Sequence, residues 1–142
     1  MVEISSSNYT NILGGPSLIS TIVTKTADKH NADCGKNCKI NLQICQGESC
    51  CAISKITSLV RNGTNNFMEC KNHGLNTLLP VEISIQNEGT DQWIAEFINV
   101  TTNVNHVFYH CPVDEIQFGN QFIKKTCKVE RGIHFEIDPI LS

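Results

Sequence analysis

An excess of basic residues is the first thing this sequence lacks. Its 142 residues carry 11 Lys and Arg against 14 Asp and Glu, a formal net charge of −3. Nucleic-acid binding calls for a basic patch, so no nucleic-acid partner is expected. Aromatic residues are sparse, at 6% with a single Trp. No apolar run approaches the roughly 18 residues of a membrane-spanning helix. No apolar pattern keeps the helical period over about three turns, which argues against long amphipathic helices. H-E-x-x-H, G-x-S-x-G and P-loop motifs are all missing. His30, His73, His106, His110 and His134 are scattered. The adjacent pair His110 and Cys111 would point to opposite faces of a strand, and a disulfide-bonded Cys is no nucleophile. The sequence therefore predicts a protein that is not an enzyme.

Cysteine is what the chain has in abundance: Cys34, Cys38, Cys45, Cys50, Cys51, Cys70, Cys111 and Cys127. An even number at this density predicts disulfides and an oxidising compartment. Zinc sites show paired C-x-x-C or H-x3-H spacing, which is not found here. Eight cysteines allow 105 connectivities, and the sequence does not choose among them. Cys50 and Cys51 are expected to take different partners, because a bond between sequence neighbours is strained. Three sequons agree with a secreted glycoprotein: Asn8-Tyr9-Thr10, Asn62-Gly63-Thr64 and Asn99-Val100-Thr101. Asn62, in a polar loop, is the favoured acceptor, whereas Asn99 at a strand end requires an outward face. Residues 1–17 have no basic stretch followed by an apolar core, so they are not a leader peptide as they stand. The cysteines favour a chain whose leader has been removed.

Residues 1–16 read as a loose, Ser- and Asn-rich arm and residues 17–142 as one domain, long enough to bury a real core. The chain is read as organised around Val81–Thr102, two strands joined by the polar turn Asn87–Asp91. Val81, Ile83 and Ile85 alternate with polar residues. In the second strand Ile94, Ile98 and Val100 share one face with Glu96, and Trp93, Ala95 and Phe97 share the other, so both faces carry bulk, as in a strand inside a sheet. Ser17–Thr26 and Cys38–Cys45 read as earlier strands, the latter with Cys38, Ile40, Leu42 and Ile44 on one face. Cys50–Val60, Phe67–Cys70, Val107–Cys111, Gln121–Val129 and Ile133–Ile137 follow, with 61–66, 71–76 and 111–120 as loops or irregular chain. Short strands about 8–12 residues apart predict an all-β fold, an antiparallel β-sandwich.

Four stretches, taken in order, resemble the PLAT domain, the module of polycystin-1, lipoxygenase and alpha-toxin. They are VTKTADKHNAD at 23–33, KINLQIC at 39–45, the strand–turn–WIAEFINV segment of 81–100, and VFYHC at 107–111. The resemblance spans about residues 17–116, departing from the family at Ala27, Cys34 and Glu96 and over residues 50–80. It implies a sandwich of two four-stranded sheets and a non-catalytic module that binds membrane lipid or a partner protein. In some PLAT domains loops at one end hold calcium, and exposed Trp or apolar loop residues enter the bilayer.

Calcium needs several hard oxygen ligands on flexible loops. Asp28 and Asp33 in one loop, with Glu88 and Asp91 in another, are the candidates for it, and they serve equally as solvated turn residues. Trp93 is a candidate membrane anchor or, by preference, a core residue at the mouth of the sandwich. Lys124, Lys125, Lys128 and Arg131 form a basic cluster that could meet anionic lipid or be an ordinary wet strand face. The sequence shows no clear apolar loop tip. That favours the alternative of a secreted effector, immunomodulator or venom-type protein acting on a target protein with no lipid role.

Overall fold

The computed structural model describes residues 16–131. Among them there is no helix. The strands are β1 (Pro16–Thr26), β2 (Ile40–Gln46), β3 (Ser49–Ile56), β4 (Thr64–Phe67), β5 (Gly74–Asn76), β6 (Val81–Asn87), β7 (Trp93–Thr102), β8 (Val107–Pro112), β9 (Glu115–Ile116) and β10 (Ile123–Arg131). The proposed N-terminal arm, save Pro16, and the expected strand 133–137 lie outside the described residues.

The strands pair antiparallel in the order β3-β2-β6-β10-β8-β7-β1-β4, with β5 beside β1 and β9 beside β7. β10 belongs to both halves of this path. Its first part, Ile123–Cys127, pairs with β6, and its last part, Lys128–Arg131, pairs with β8. The sheet therefore curls into two layers, β3-β2-β6-β10 and β8-β7-β1-β4, around one core. This is a disulfide-stabilised β-sandwich, continuous along one side through β10.

Isoleucine dominates the interior. Ile19, Ile22, Ile40, Ile44, Ile83, Ile85 and Ile98 are all at most 1% exposed. β-branched side chains suit the pleated surface, and burying each contributes about 1.5–3 kcal/mol. The alternation read in β2 holds, with Ile40, Leu42 and Ile44 inward and Asn41 and Gln43 half-exposed.

The expected hairpin at 81–102 does not form. β6 pairs with β2 and β10, whereas β7 pairs with β1, β8 and β9. The polar turn carries the chain from one layer to the other. Both strands offer an apolar face to the shared core, and a local turn signal cannot distinguish a hairpin from such a crossing. β7 also reverses its inward face. Lys25 pairs with Phe97 but Thr26 with Ala95, so Glu96 is an extra residue, a β-bulge. Before the bulge Trp93 and Ala95 are buried; after it Ile98, Val100 and Thr102 are. The apparent bulk on both faces is thus one inward face that changes phase. The interior position of the strand is real, since β7 lies between β8 and β1. Four shorter readings also shift. Thr64–Phe67 is a strand where 61–66 reads as loop, residues 68–73 turn where Phe67–Cys70 reads as strand, and Gly74–Asn76 and Glu115–Ile116 are strands within expected loops.

All eight cysteines are paired: Cys34–Cys38, Cys45–Cys50, Cys51–Cys70 and Cys111–Cys127. Cys50 and Cys51 take different partners, as expected. Cys51–Cys70 joins β3, one end of the strand order, to the turn after β4, the other end. Cys111–Cys127 joins β8 to the residue of β10 at which pairing passes between layers. Their sequence separations are 19 and 16, so loop-closure entropy alone ranks Cys51–Cys70 as slightly the more stabilising, each at about 3 kcal/mol. Cys111 and Cys127 are both at most 1% exposed, and their loss also leaves a cavity in the core. Replacing Cys111 and Cys127 by Ala is therefore expected to cost more stability than replacing Cys51 and Cys70, against the entropic order, as read by urea denaturation of the two double variants.

Tyr109 is fully buried, and its hydroxyl lies 2.8 Å from the Leu79 carbonyl and 3.1 Å from that of Asn76. Gln46 Nε2 donates to it at 3.3 Å. Burial raises its pKa above 10.0, while the Gln46 hydrogen bond and the charge of Arg131 partly oppose this. The folded state favours the neutral phenol. Its stability contribution is therefore full below pH 10 and is lost as pH rises through the higher folded value. Urea titrations above pH 9 are expected to show a loss of stability that is smaller in Tyr109→Phe.

Candidate functional site

Antiparallel pairing brings four connections to one end of the sandwich: residues 27–39, 57–63, 88–92 and 117–122. Backbone hydrogen bonds join 88–92 to the first of them. Glu88 N–H donates to Lys39 O at 2.8 Å and Thr90 N–H to Asn37 O at 2.6 Å. Ile94 N–H, just beyond, donates to Ala32 O at 3.1 Å. Residues 57–63 are attached by the Cys34–Leu59 bridge, with bonds of 2.6 and 3.0 Å. Residues 117–122 are attached by Gly119 N–H, which donates to Asn87 O at 2.9 Å.

Asn87 is the polar centre of this arrangement and is 1% exposed. Its Oδ1 accepts from Gly89 N–H at 3.0 Å and Lys39 N–H at 3.3 Å, and its Nδ2 donates to Asp91 O at 2.6 Å. The neighbouring Gly89 is packed so closely on Asn37 O and Cys38 Cα that a Cβ there would overlap both. Neither role is readable from a polar turn sequence.

The two acidic loops do lie together, but each carboxylate has its own surroundings. Asp28 Oδ1 takes Arg61 Nε at 2.9 Å, with both side chains more than half exposed. Glu88 Oε1 accepts from Asn41 Nδ2 at 2.7 Å, and Asp91 Oδ1 from Gln92 N–H at 2.9 Å. Asp33 is exposed. Among the described residues no group of three or more His, Cys, Asp or Glu is arranged to hold a metal ion.

Trp93 lies in the core, 1% exposed, its indole N–H donating to Thr26 Oγ1 at 3.0 Å. The bulged strand turns it inward, so it is not the exposed anchor. The apolar surface at this end comes instead from residues the sequence reading passed over. Phe118 is 54% and Phe122 43% exposed on the 117–122 loop, and Val60 is 60% exposed on 57–63. Phe122 reads as part of a strand in the sequence, which hid the pair. Lys124, the next residue but one, is exposed and Lys125 partly so; Lys128 and Arg131 are exposed farther along β10. The opposite end has exposed Leu18, Met68, Leu78 and Leu79.

Of the sequons, Asn8 lies outside the described residues, Asn62 is exposed in a turn, and Asn99 is half-buried within β7. Cys111, beside His110, is bonded to Cys127.

The fold is shared with parts of known proteins. A lipoxygenase with an internal deletion matches at a TM-score of 0.58 and 10% identity, over 80% of this chain and 16% of that one. A lipoxygenase in complex with arachidonate matches at 0.56 and 10%, over the same shares. Alpha toxin from Clostridium absonum matches at 0.51 and 20%, over 79% of this chain and 32% of the toxin. The chain thus spans about a sixth of the lipoxygenase chains and a third of the toxin. These proteins contain PLAT domains, and the β-sandwich here is PLAT-like. No family model and no curated protein matches the sequence.

Asn87→Ala leaves the Lys39 and Gly89 N–H groups and the Asp91 carbonyl without their partner at part-buried positions. Each such group costs about 1–3 kcal/mol unless water reaches it. The variant is expected to lose about 2–4 kcal/mol in chemical denaturation, with faster amide exchange at residues 37–39 and 88–92 than elsewhere.

Proposed function

We propose that this chain is an extracellular, non-catalytic binding module that attaches to a lipid surface through the loop end bearing Phe118 and Phe122. The observation that carries the reading is the exposure of two Phe side chains on one short loop. Each is more than two-fifths exposed, and Lys124 and Lys125 follow within three residues. Aromatic side chains gain by entering the headgroup–acyl boundary. Burying a Phe contributes about 1.5–3 kcal/mol, and a Lys near anionic headgroups about 1 kcal/mol. Four disulfides and no free cysteine suit an oxidising compartment. The PLAT-like fold supports the binding role, since in lipoxygenase and alpha-toxin this domain is a non-catalytic part. Asp28, Asp33, Glu88 and Asp91 stand in loops at the same end, so calcium is a variable of the test.

The oxidised protein is expected to float with vesicles of phosphatidylcholine and phosphatidylserine. Phe118→Ser with Phe122→Ser is expected to lower the bound fraction by about 10-fold or more, given the apolar area removed, while the melting temperature stays near that of the wild type. Flotation is run with calcium and with chelator, and calcium dependence would assign the acidic loops to the same site. Absence of flotation under every condition overturns the lipid reading and leaves a target protein as the partner.

A further inference from the structure

We infer that Asn62 is an N-linked glycosylation site and that Asn99, with an equally good sequon, is not. This rests on the extracellular reading, but not on lipid binding. Asn62 is the third residue of a turn closed by Gly63 N–H donating to Val60 O at 2.9 Å. Its φ of 59° is a conformation that Asn tolerates better than most residues. Lys25 Nζ holds both of its oxygens, the carbonyl at 2.9 Å and Oδ1 at 2.7 Å. That grip turns the amide nitrogen, the atom that would carry the sugar, away from the contact. Thr64, the hydroxyl member of the sequon, is exposed at the start of β4, and β4 pairs on one side only, with β1. Asn62 itself is exposed.

Asn99 is placed oppositely. Its backbone stands between Val23 of β1 and His110 of β8. Its Oδ1 lies 2.8 Å from His110 Nδ1, and the His110 ring is 5.4 Å from that of Phe97. The hydroxyl of Thr101 donates to Thr21 O at 3.0 Å and accepts from Thr21 N–H at 3.2 Å. A sugar on Asn99 would root on a half-buried side chain in the middle of a paired sheet.

The transfer takes its oligosaccharide from a lipid-linked diphosphate donor. The bond from the sugar anomeric carbon to the phosphate oxygen breaks, and a bond from that carbon to Asn62 Nδ2 forms. Nδ2 gives up one proton, and the lipid diphosphate leaves.

The test is secretion of the full chain from eukaryotic cells behind an added leader, followed by mass spectrometry of the secreted protein before and after peptide-N-glycosidase. The added leader makes the outcome independent of where the native chain resides, which thiol mapping of native material decides separately. The Asn62 peptide is expected to carry glycan in most molecules and the Asn99 peptide in almost none. Thr64→Ala, which leaves Asn62 and its turn in place, is expected to remove the glycan, and Thr64→Ser to retain it. Secreted, folded protein with Asn62 unmodified overturns the proposal, and so does secreted protein modified at Asn99.

Discussion

The architecture depends on one strand pairing with two partners in succession. β10 leaves β6 at Cys127 and joins β8 at Lys128, and without that transfer the two layers would share no edge. Cys127 is bonded to Cys111 of β8 at this point. Three separate things therefore meet at Cys127: the last rung with β6, the turn into the second layer, and a covalent link to β8. A strand bending between layers exposes backbone groups unless its neighbours follow the bend. Here β8 is held to it covalently, and both sulfurs fill core volume as well as closing a loop. On the far side, where β3 and β4 leave the curled sheet open, Cys51–Cys70 joins its two ends. The layers are thus linked along one side by pairing and along the other by a disulfide.

The loop end follows from the same geometry. Because β6 and β7 lie in opposite layers, the link between them must cross the mouth of the sandwich instead of folding back as a hairpin. A crossing chain leaves backbone donors and acceptors over an apolar core, and each must find a partner. Asn87 supplies three contacts from one buried side chain, and the 27–39 loop supplies carbonyls for Glu88, Thr90 and Ile94. Gly89 permits the close approach that these bonds demand.

Much of this was legible in the sequence because it is periodic or countable. Ile40, Leu42 and Ile44 announce β2 by alternation, Val81, Ile83 and Ile85 announce β6, and the even number of cysteines announces the disulfides. The ordered motifs carried the PLAT resemblance even though the solved neighbours share only 10–20% identity. What escaped was non-local. Whether Asn87–Asp91 closes a hairpin or crosses layers is decided by β2, β10, β1 and β8, none of them near in sequence. The bulge at Glu96 inverts the face of Trp93 without any local sign beyond a polar residue among apolar ones. Phe122 falls within Gln121–Val129, which reads as strand. Only the start of pairing at Ile123 puts it in the loop.

Those misreadings share a cause that bears on function. A loop end of a β-sandwich gathers residues from distant parts of the chain, so its surface character is set by where each strand stops. Phe122, on the same strand face as the exposed Lys124, Thr126 and Lys128, stands just before pairing starts at Ile123 and is exposed. The phase change in β7 sets Trp93 inward. This end is held by backbone hydrogen bonds, Asn87 and the Cys34–Cys38 link. With its shape fixed from beneath, the side chains at the loop tips are free to be selected for what they touch.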